Sequence, residues 1–210
     1  GYKPKVFEAA HRPGGMLVQT IPAYRLPRET LAREIRMIEN MGVDIECNKK
    51  LGKDFLVQDL RNEGYDAVYI AIGSPIGMEM RIPGHEAKNI DKAMDFLMTY
   101  NLRGSVPVGK NVVIVGGGNA AFDSARTAIR LGAENVTVVY RRSQGEMPAY
   151  AEEIEEALQE GIKIMPLTNP REYIVDEDGK VSGVRCNYMT LGEFDTSGRR
   201  RPVNEEETFV

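Results

Sequence analysis

The segment VVIVGGGNAAFDSA, residues 112–125, decides the fold class of this chain. The β-branched residues at its start predict a buried strand, the glycines predict a tight turn, and the alanine-rich residues after them predict a helix. A Gly-x-Gly-x-x-Ala pattern between a strand and a helix, formed here by Gly116, Gly118 and Ala121, is typical of a dinucleotide-binding βαβ unit. The alternative interpretation is a glycine-rich turn that binds no ligand.

Each position of this pattern has a physical reason. Gly116 permits the tight turn, Gly118 lets the backbone approach a pyrophosphate, and the small Ala121 lets helix and strand pack closely. The backbone N–H groups at the start of the helix have no acceptor within the helix, and they favour the negative charge of a phosphate. We therefore predict a cofactor-binding site made by the turn and the first helical residues: Gly116, Gly118, Asn119, Ala120 and Ala121.

The end of the next strand indicates which dinucleotide would bind. An NAD site carries Asp or Glu there for the ribose 2′-hydroxyl, but in this sequence residues 136–140 are followed by Arg141 and Arg142. Guanidinium groups form charge-assisted, forked hydrogen bonds with phosphate, so the pair favours NADP(H), with its 2′-phosphate, over NAD(H). The alternative is a solvated basic loop at the end of the strand.

Strand and helix patterns alternate along most of the chain and predict an α/β fold with two units in series, divided near residue 105. A largely apolar run at residues 65–72 is typical of a central parallel strand covered on both faces. The tail, residues 173–210, predicts a small antiparallel meander. The other predicted elements are helices at 27–41, 91–100, 119–131 and 150–159, and strands at 43–47, 112–115, 136–140 and 162–165.

Composition and charge disfavour several classes of function. The 27 basic and 31 acidic residues give a net charge of −4, which argues against nucleic acid as the main partner. The longest clearly strand-like apolar run is far shorter than the ~20 residues of a membrane-spanning helix. Cys47 and Cys186 have no CxxC partner, which disfavours a dithiol centre or an iron–sulfur cluster in this chain, and no metal-ligand cluster is visible. Lone cysteines are typical of a reducing compartment, so we predict a cytoplasmic protein.

The order of five segments resembles a known family. They are VFEAAHRPGGML (6–17), IPAYRLPRETL (21–31), GYDAVYIAIGS (64–74), VVIVGGGNAAFDSARTAIRLGA (112–133) and VVYRRSQGEMPA (138–149). Together they resemble the NADPH-dependent small (beta) subunit of glutamate synthase and related flavoproteins of the pyridine nucleotide-disulphide oxidoreductase type. The resemblance covers residues 1 to about 190.

This resemblance implies a FAD-binding domain that is interrupted by an inserted NADPH-binding domain. Residues 1–105 would be an incomplete Rossmann-like FAD domain, and residues 106–210 a Rossmann-like NADP(H) domain with a β-meander. The chain would begin after the glycine-rich loop for the FAD pyrophosphate and end before the last strand of the NADP(H) domain. These residues would then not retain FAD, and the exposed edge of residues 65–72 would favour self-association.

The same resemblance implies FAD contacts in the first half of the chain. They would come from Glu8 to the adenosine ribose, from Gly14, Gly15 and Leu17 to the flavin phosphate and ribityl chain, from Leu51 to the adenine, and from Ile72 and Gly73 over the FAD. Without the resemblance, Glu8 is interpreted as a solvated strand end, the glycine pair as an ordinary turn, and residues 65–72 as core.

The implied activity is hydride transfer from NADPH to FAD, with electrons then passed to iron–sulfur clusters, as in glutamate biosynthesis. The implied partner is the large subunit of glutamate synthase or another iron–sulfur protein. Such chemistry needs orientation of cofactors more than acid–base groups, and the sequence shows no recognisable catalytic triad. Two alternatives stay open: a flavoprotein subunit of a ferredoxin:NADP oxidoreductase or sulfide dehydrogenase, and a module that binds NADP(H) without redox chemistry.

Overall fold

The computed structural model describes residues 1–196 and 198–210, which form two compact units, Gly1–Ile76 and Gly77–Val210. The first unit has a sheet of two parallel strands, β1 (Lys5–Glu8) and β2 (Asp44–Cys47). Its helices are α1 (Gly15–Gln19), α2 (Arg28–Asn40) and α3 (Val57–Asn62). The predicted helix at 27–41 and the predicted strand at 43–47 are therefore confirmed.

The apolar run at residues 65–72 is not the central strand that the sequence predicts. It has no regular secondary structure, and Tyr69 is 92% and Ile72 70% exposed. A parallel strand takes its backbone hydrogen bonds from neighbouring strands, and within the described residues no strand pairs with this run. The prediction was wrong here because an apolar pattern shows only that a segment can form a strand. A stable strand also needs a neighbouring strand to pair with.

The second unit contains a parallel sheet with its strands in the order β3 (Asn111–Val115), β4 (Asn135–Val139) and β5 (Lys163–Met165). Helix α4 (Ala93–Arg103) precedes the sheet, α5 (Asn119–Arg130) connects β3 to β4, and a short 3₁₀ turn (Gln144–Glu146) and α6 (Ala151–Gln159) connect β4 to β5. This βαβαβ order agrees with the sequence prediction and confirms the α/β fold class.

Helix α5 lies at the centre of the second unit's core. Its alanines at 121, 125 and 128 are buried and let the helix approach the sheet, where Val136 and Val138 are buried too. Phe122 is 0% exposed and is the largest fully buried side chain. Burial of such side chains stabilises the fold by roughly 1.5–3 kcal/mol each.

An ion-pair network fastens α5 to α6 and to the residue after it. The nearly buried guanidinium of Arg126 lies 2.7 Å from the Glu153 carboxylate, 2.6 Å from that of Glu156 and 2.9 Å from that of Glu160. Arg130 lies 2.6 Å from the second oxygen of Glu160. Helix α5, whose first turn belongs to the predicted cofactor site, is thus held against α6 by ion pairs as well as by packing.

Three antiparallel strands follow the parallel sheet, β6 (Thr168–Val175), β7 (Val181–Phe194) and β8 (Arg200–Phe209). They confirm the predicted meander, although β7 and β8 are much longer than the apolar pieces that indicated it. The rings of Tyr188 and Phe209 stack with 4.5 Å between their centroids and join the two long strands.

Residues 83–89 form hydrogen bonds with the meander. They therefore belong to the second unit, although the sequence indicated a boundary near residue 105. The N–H of Tyr173 donates to Pro83 O at 2.9 Å, and the N–H of Lys88 donates to Gly179 O at 3.0 Å. The N–H of Val181 donates to Asn89 Oδ1 at 2.7 Å. The compact units therefore divide between Ile76 and Gly77. A domain boundary near residue 105 stays a prediction for the intact protein.

Candidate cofactor-binding site

The glycine turn after β3 has the geometry that its sequence pattern requires. Gly116 has a φ of +143°, and its N–H donates to Val139 O on the neighbouring strand at 3.0 Å. A Cβ at this position would lie 3.4 Å from the Cβ of Ala121, an ordinary contact, so it is the positive φ rather than a lack of space that requires glycine here. Among the described residues, a Cβ on Gly118 would come near only Pro148, at 3.9 Å, so this side of the turn is open.

Helix α5 begins directly after this open position. Gly118 is its N-cap residue, and no side chain caps the helix. Among the described residues, the N–H groups of Asn119 and Ala120 have no acceptor. An uncapped N-terminus next to a backbone without side chains is suited to a phosphate group, because it combines free donors with the positive end of the helix dipole.

The middle glycine of the turn is a site residue that the sequence pattern did not identify. A Cβ on Gly117 would lie 2.7 Å from Cδ2 of Tyr140, so the tyrosine ring packs directly against the turn. The Tyr140 hydroxyl donates to Glu146 O at 3.1 Å. Tyr140 therefore links the glycine turn to the loop after β4. The sequence signal for it was the run of three glycines, since the Gly-x-Gly pattern needs only two.

The segment before α6 folds back onto the same turn. The N–H of Ala149 donates to Gly117 O at 3.1 Å, and the N–H of Tyr150 donates to Asn119 Oδ1 at 3.0 Å. The side chain of Asn119 thus holds this segment in place, while its backbone N–H stays at the open helix end. The structure brings Gly116, Gly118, Asn119, Ala120 and Ala121 together in one turn.

The two arginines after β4 have different surroundings. Arg141 is exposed, whereas Arg142 is 4% exposed. Arg142 donates from Nη2 to Asp195 Oδ2 and from Nε to Arg200 O, each at 2.8 Å. The structure therefore presents Arg141 to solvent and holds Arg142 against the meander, rather than presenting both as one pair.

Glu146 closes the loop that carries these arginines. Burial of its carboxylate opposes ionisation, but hydrogen bonds from Ser143 and from the N–H of Arg200, together with the charge of Arg142, lower its pKa. The Ser143 hydroxyl donates to Glu146 Oε2 at 2.8 Å, and the N–H of Arg200 donates to Oε1 at 3.1 Å. The carboxylate is ionised at neutral pH and ties two segments together.

In the first unit, the residues predicted to contact FAD mostly make local contacts. Glu8 Oε1 accepts the N–H of Ala10 at 2.8 Å. A Cβ on Gly14 would lie 2.7 Å from Val18 Cγ2, so Gly14 packs against its own helix, while Gly15 is open and Leu17 is exposed. Arg28 fixes this helix by donating to Leu17 O at 2.8 Å.

The remaining predicted contacts of the first unit lie elsewhere in the chain. Leu51 forms a bridge with Phe55 in the loop after β2, Ile72 is the last residue of the exposed run at 65–72, and the exposed Gly73 follows it. These positions neither support nor exclude contacts with FAD, and the assignment of all seven residues to FAD stays a prediction.

Other reactive groups have little support as site residues. Burial raises the pKa of both thiols, and the charges of Glu8 and Glu39 raise that of Cys47 further. No group of three or more His, Cys, Asp or Glu side chains suited to a metal ion occurs in residues 1–196 and 198–210. Across these described residues, none of the helices has both the length and the apolar character to cross a membrane.

A parallel strand, an open glycine turn, an uncapped helix and a second strand that is soon followed by arginine define a dinucleotide-binding βαβ unit of the Rossmann type. Comparison with known proteins extends this class to a family. Residues 3–196 match the pyridine nucleotide-disulphide oxidoreductase family, and the chain belongs to it.

Individual relatives confirm the resemblance drawn from the sequence. The NADP(+)-dependent formate dehydrogenase subunit beta of Moorella thermoacetica is 45% identical over 97% of this chain, and the chain covers 29% of that protein. The glutamate synthase [NADPH] small chain of Escherichia coli (strain K12) is 34% identical over 96% of this chain, which covers 45% of it. The chain thus spans less than half the length of these two relatives.

A solved structure confirms the fold. Mycobacterium tuberculosis FprA in complex with NADPH superposes with a TM-score of 0.83 over 98% of this chain and 61% of FprA, at 19% sequence identity.

Proposed function

We propose that the second unit binds NADP(H), with the pyrophosphate at the start of α5 and the 2′-phosphate at Arg141. The observation that carries this proposal is the open side of Gly118 at the uncapped helix, next to a strand end with an exposed arginine and no carboxylate. The printed names of the formate dehydrogenase and glutamate synthase relatives, which specify NADP(+) and NADPH, support the choice of cofactor.

The residues of the second unit fit this cofactor in three respects. The open side of Gly118 leaves room for a pyrophosphate, the N–H groups of Asn119 and Ala120, which have no acceptor among the described residues, supply donors, and Arg141 supplies a guanidinium. When bound, NADPH supplies a hydride. The role of the chain is to fix and orient the adenosine half of the cofactor, since no acid–base group is needed for that transfer.

For the intact protein we propose an NAD(P)H-dependent oxidoreductase in which FAD accepts the hydride and an iron–sulfur partner protein receives the electrons. The relatives support this at the level of class, because two of them are named as a subunit beta and a small chain of larger enzymes. A glutamate synthase large subunit is one candidate partner. The printed names of these two relatives specify different reactions, so the partner can differ between family members.

Titration of this chain with NADPH and with NADH tests the cofactor proposal. We expect tighter binding of NADPH, and the Arg141→Ala variant should lose about tenfold in NADPH affinity, because a charge-assisted hydrogen bond contributes ~1.5–3 kcal/mol. Arg171→Ala, which removes another exposed arginine of the same unit, is the control and should leave both affinities unchanged. Equal affinity for the two cofactors in the unsubstituted chain would refute the proposal.

A further inference from the structure

The loop after β4 is held by a part of the meander far from it in sequence. We call residues 141–147 the arginine loop, and residues 191–196 and 198–201, at the end where β7 meets β8, the β7–β8 arm. The arm is stabilised internally, since Asp195 N–H donates to Arg199 O at 2.7 Å and Arg200 Nε donates to Gly192 O at 3.0 Å. These two hydrogen bonds join the β7 side of the arm to its β8 side.

Side chains of the arginine loop form hydrogen bonds with both the N–H and the carbonyl of one arm residue. The carbonyl of Arg200 accepts Nε of Arg142 at 2.8 Å, and the N–H of Arg200 donates to Glu146 Oε1 at 3.1 Å. An ion pair adds to this contact, with 2.8 Å between Arg142 Nη2 and Asp195 Oδ2. The two ends of the arginine loop are thus clamped to the same short segment of the arm.

The backbone of the arginine loop is fixed on its other side by the strand that follows. The N–H of Leu167 donates to Arg142 O at 3.0 Å, and the N–H of Thr168 donates to Tyr140 O at 2.9 Å. Arg141 lies between Tyr140 and Arg142, whose side chains are both buried and hydrogen bonded. With both neighbours held inward, the side chain of Arg141 is directed to solvent on a rigid backbone.

We propose that Arg142, Asp195 and Glu146 are positioning residues for NADP(H) selectivity, which hold Arg141 ready for the 2′-phosphate by clamping the arginine loop to the β7–β8 arm. This inference rests on the proposed function and deepens it. Arg142 acts through Arg141, and the arm supplies a support that the βαβ unit itself lacks. Because the clamp holds the backbone on both sides of Arg141, this residue loses less conformational entropy when it binds, and this is the physical origin of the gain.

The direction of the change in NADPH affinity distinguishes a positioning role of these residues from a purely electrostatic one. Asp195 and Glu146 are negative groups near a site for a dianionic phosphate, so removing either charge should strengthen NADPH binding if only long-range electrostatics mattered. If the clamp positions Arg141, the same substitutions should weaken it. NADH lacks the 2′-phosphate and serves as the internal reference for the integrity of the rest of the site.

The experiment measures the NADPH and NADH affinities of the 210-residue chain carrying Asp195→Ala or Glu146→Gln. For Asp195→Ala we expect NADPH affinity to fall about fivefold while NADH affinity changes less than about twofold. Glu146→Gln should shift the ratio in the same direction. Glu172→Ala is the matched control, because it removes a negative charge from the same meander in a surface pair with Arg185 and should leave the ratio unchanged.

A double variant tests whether the effect passes through Arg141. In an Arg141→Ala background, Asp195→Ala should change the NADPH-to-NADH ratio no further, because coupled residues are not additive. If the unsubstituted chain prefers NADPH and the Asp195→Ala and Glu146→Gln variants keep or increase that preference, the inference is wrong and the proposed function stands. If the unsubstituted chain shows no preference, the proposed function and the inference both fail.

Discussion

Each unit contains an apolar run that is typical of a buried strand, but only the run in the second unit forms one. In the second unit the apolar strand β4 is buried, with Val138 0% exposed between β3 and β5. In the first unit the equally apolar run at residues 65–72 is exposed and unpaired among the described residues. The difference shows that β-propensity and hydrophobicity make a strand only where neighbouring strands supply hydrogen bonds and helices cover both faces.

The largest expected difference between the units concerns cofactor retention. In the described part of the first unit, the Gly14–Gly15 turn leads into a helix of 5 residues, and Gly14 packs against Val18. Such a short helix offers little of the dipole and donor set that holds a pyrophosphate. We predict that the purified chain carries no stoichiometric FAD and does not oxidise NADPH. The absorption spectrum checks this, and a yellow protein with one flavin per chain would contradict it.

A pair of substitutions tests the contrast in packing. Phe122→Ala in the second unit should lower the free energy of unfolding by about 3–5 kcal/mol, because it leaves a cavity in a filled core. Tyr69→Ala in the exposed run should change it by less than about 0.5 kcal/mol. Denaturant unfolding monitored by circular dichroism measures both. A large loss of stability from Tyr69→Ala would mean that residues 65–72 are buried in solution.

Two neighbouring glycines sharpen the comparison between a packed and an open position. Gly117→Ala should lower the free energy of unfolding by about 1–3 kcal/mol, because the new methyl group would overlap the buried ring of Tyr140. Gly118→Ala should keep the stability within about 0.5 kcal/mol, since its φ of −94° suits alanine and the position is open.

The same glycine pair distinguishes folding from binding. Because the methyl group of Gly118→Ala would occupy the space that we assign to the pyrophosphate, NADPH and NADH affinity should both fall more than about tenfold. Titration of the folded variant checks this result. Unchanged affinity in Gly118→Ala would place the pyrophosphate elsewhere.

The electrostatic effects are smaller than the loss of packing at Phe122 and depend on pH. Hydrogen bonds from Arg130 and Arg126 lower the pKa of Glu160 from 4.5, against the opposing effect of burial. The stabilisation is therefore complete above pH 4.5 and is lost as the pH falls through the lowered pKa of the folded protein. Glu160→Gln should cost about 1 kcal/mol at neutral pH, and the difference from the unsubstituted chain should shrink on acidification.

The matching experiment in the first unit uses Glu46, whose pKa is lowered chiefly by its hydrogen bond with Lys5 on the surface. Glu46→Gln should give a weaker effect that disappears at high salt, because exposed pairs are screened. Urea unfolding as a function of pH and salt measures both variants. A larger pH-dependent effect at Glu46 than at Glu160 would contradict this ranking.

The sequence predicted the features that depend on local pattern. The helix α5, the small residues Gly116 and Ala121, and the βαβαβ succession of the second unit follow from spacing and composition. The contact of Gly117 with Tyr140 and the ion pair of Arg142 with Asp195 could not be predicted, because they join residues that are distant in sequence and carry no periodic signal. Arginine in two consecutive positions does not reveal which one is turned inward.

The long meander strands were also underpredicted for a physical reason. Strand β8 is rich in Arg and Glu and is largely exposed, so it lacks the apolar alternation by which strands are recognised. It forms through pairing with β7, helped by the stacking of Phe209 on Tyr188. Hydrophobicity alone therefore did not predict the β7–β8 arm that supports the arginine loop.

Calorimetric titration of this chain with 2′,5′-ADP and with 5′-AMP tests the central claim most directly, because the two ligands differ only in the 2′-phosphate. We predict that 2′,5′-ADP binds about tenfold more tightly, and that Arg141→Ala removes this difference without reducing the affinity for 5′-AMP. Equal affinity of the unsubstituted chain for the two ligands, or a preference that survives in Arg141→Ala, would contradict the assignment of Arg141 to the 2′-phosphate.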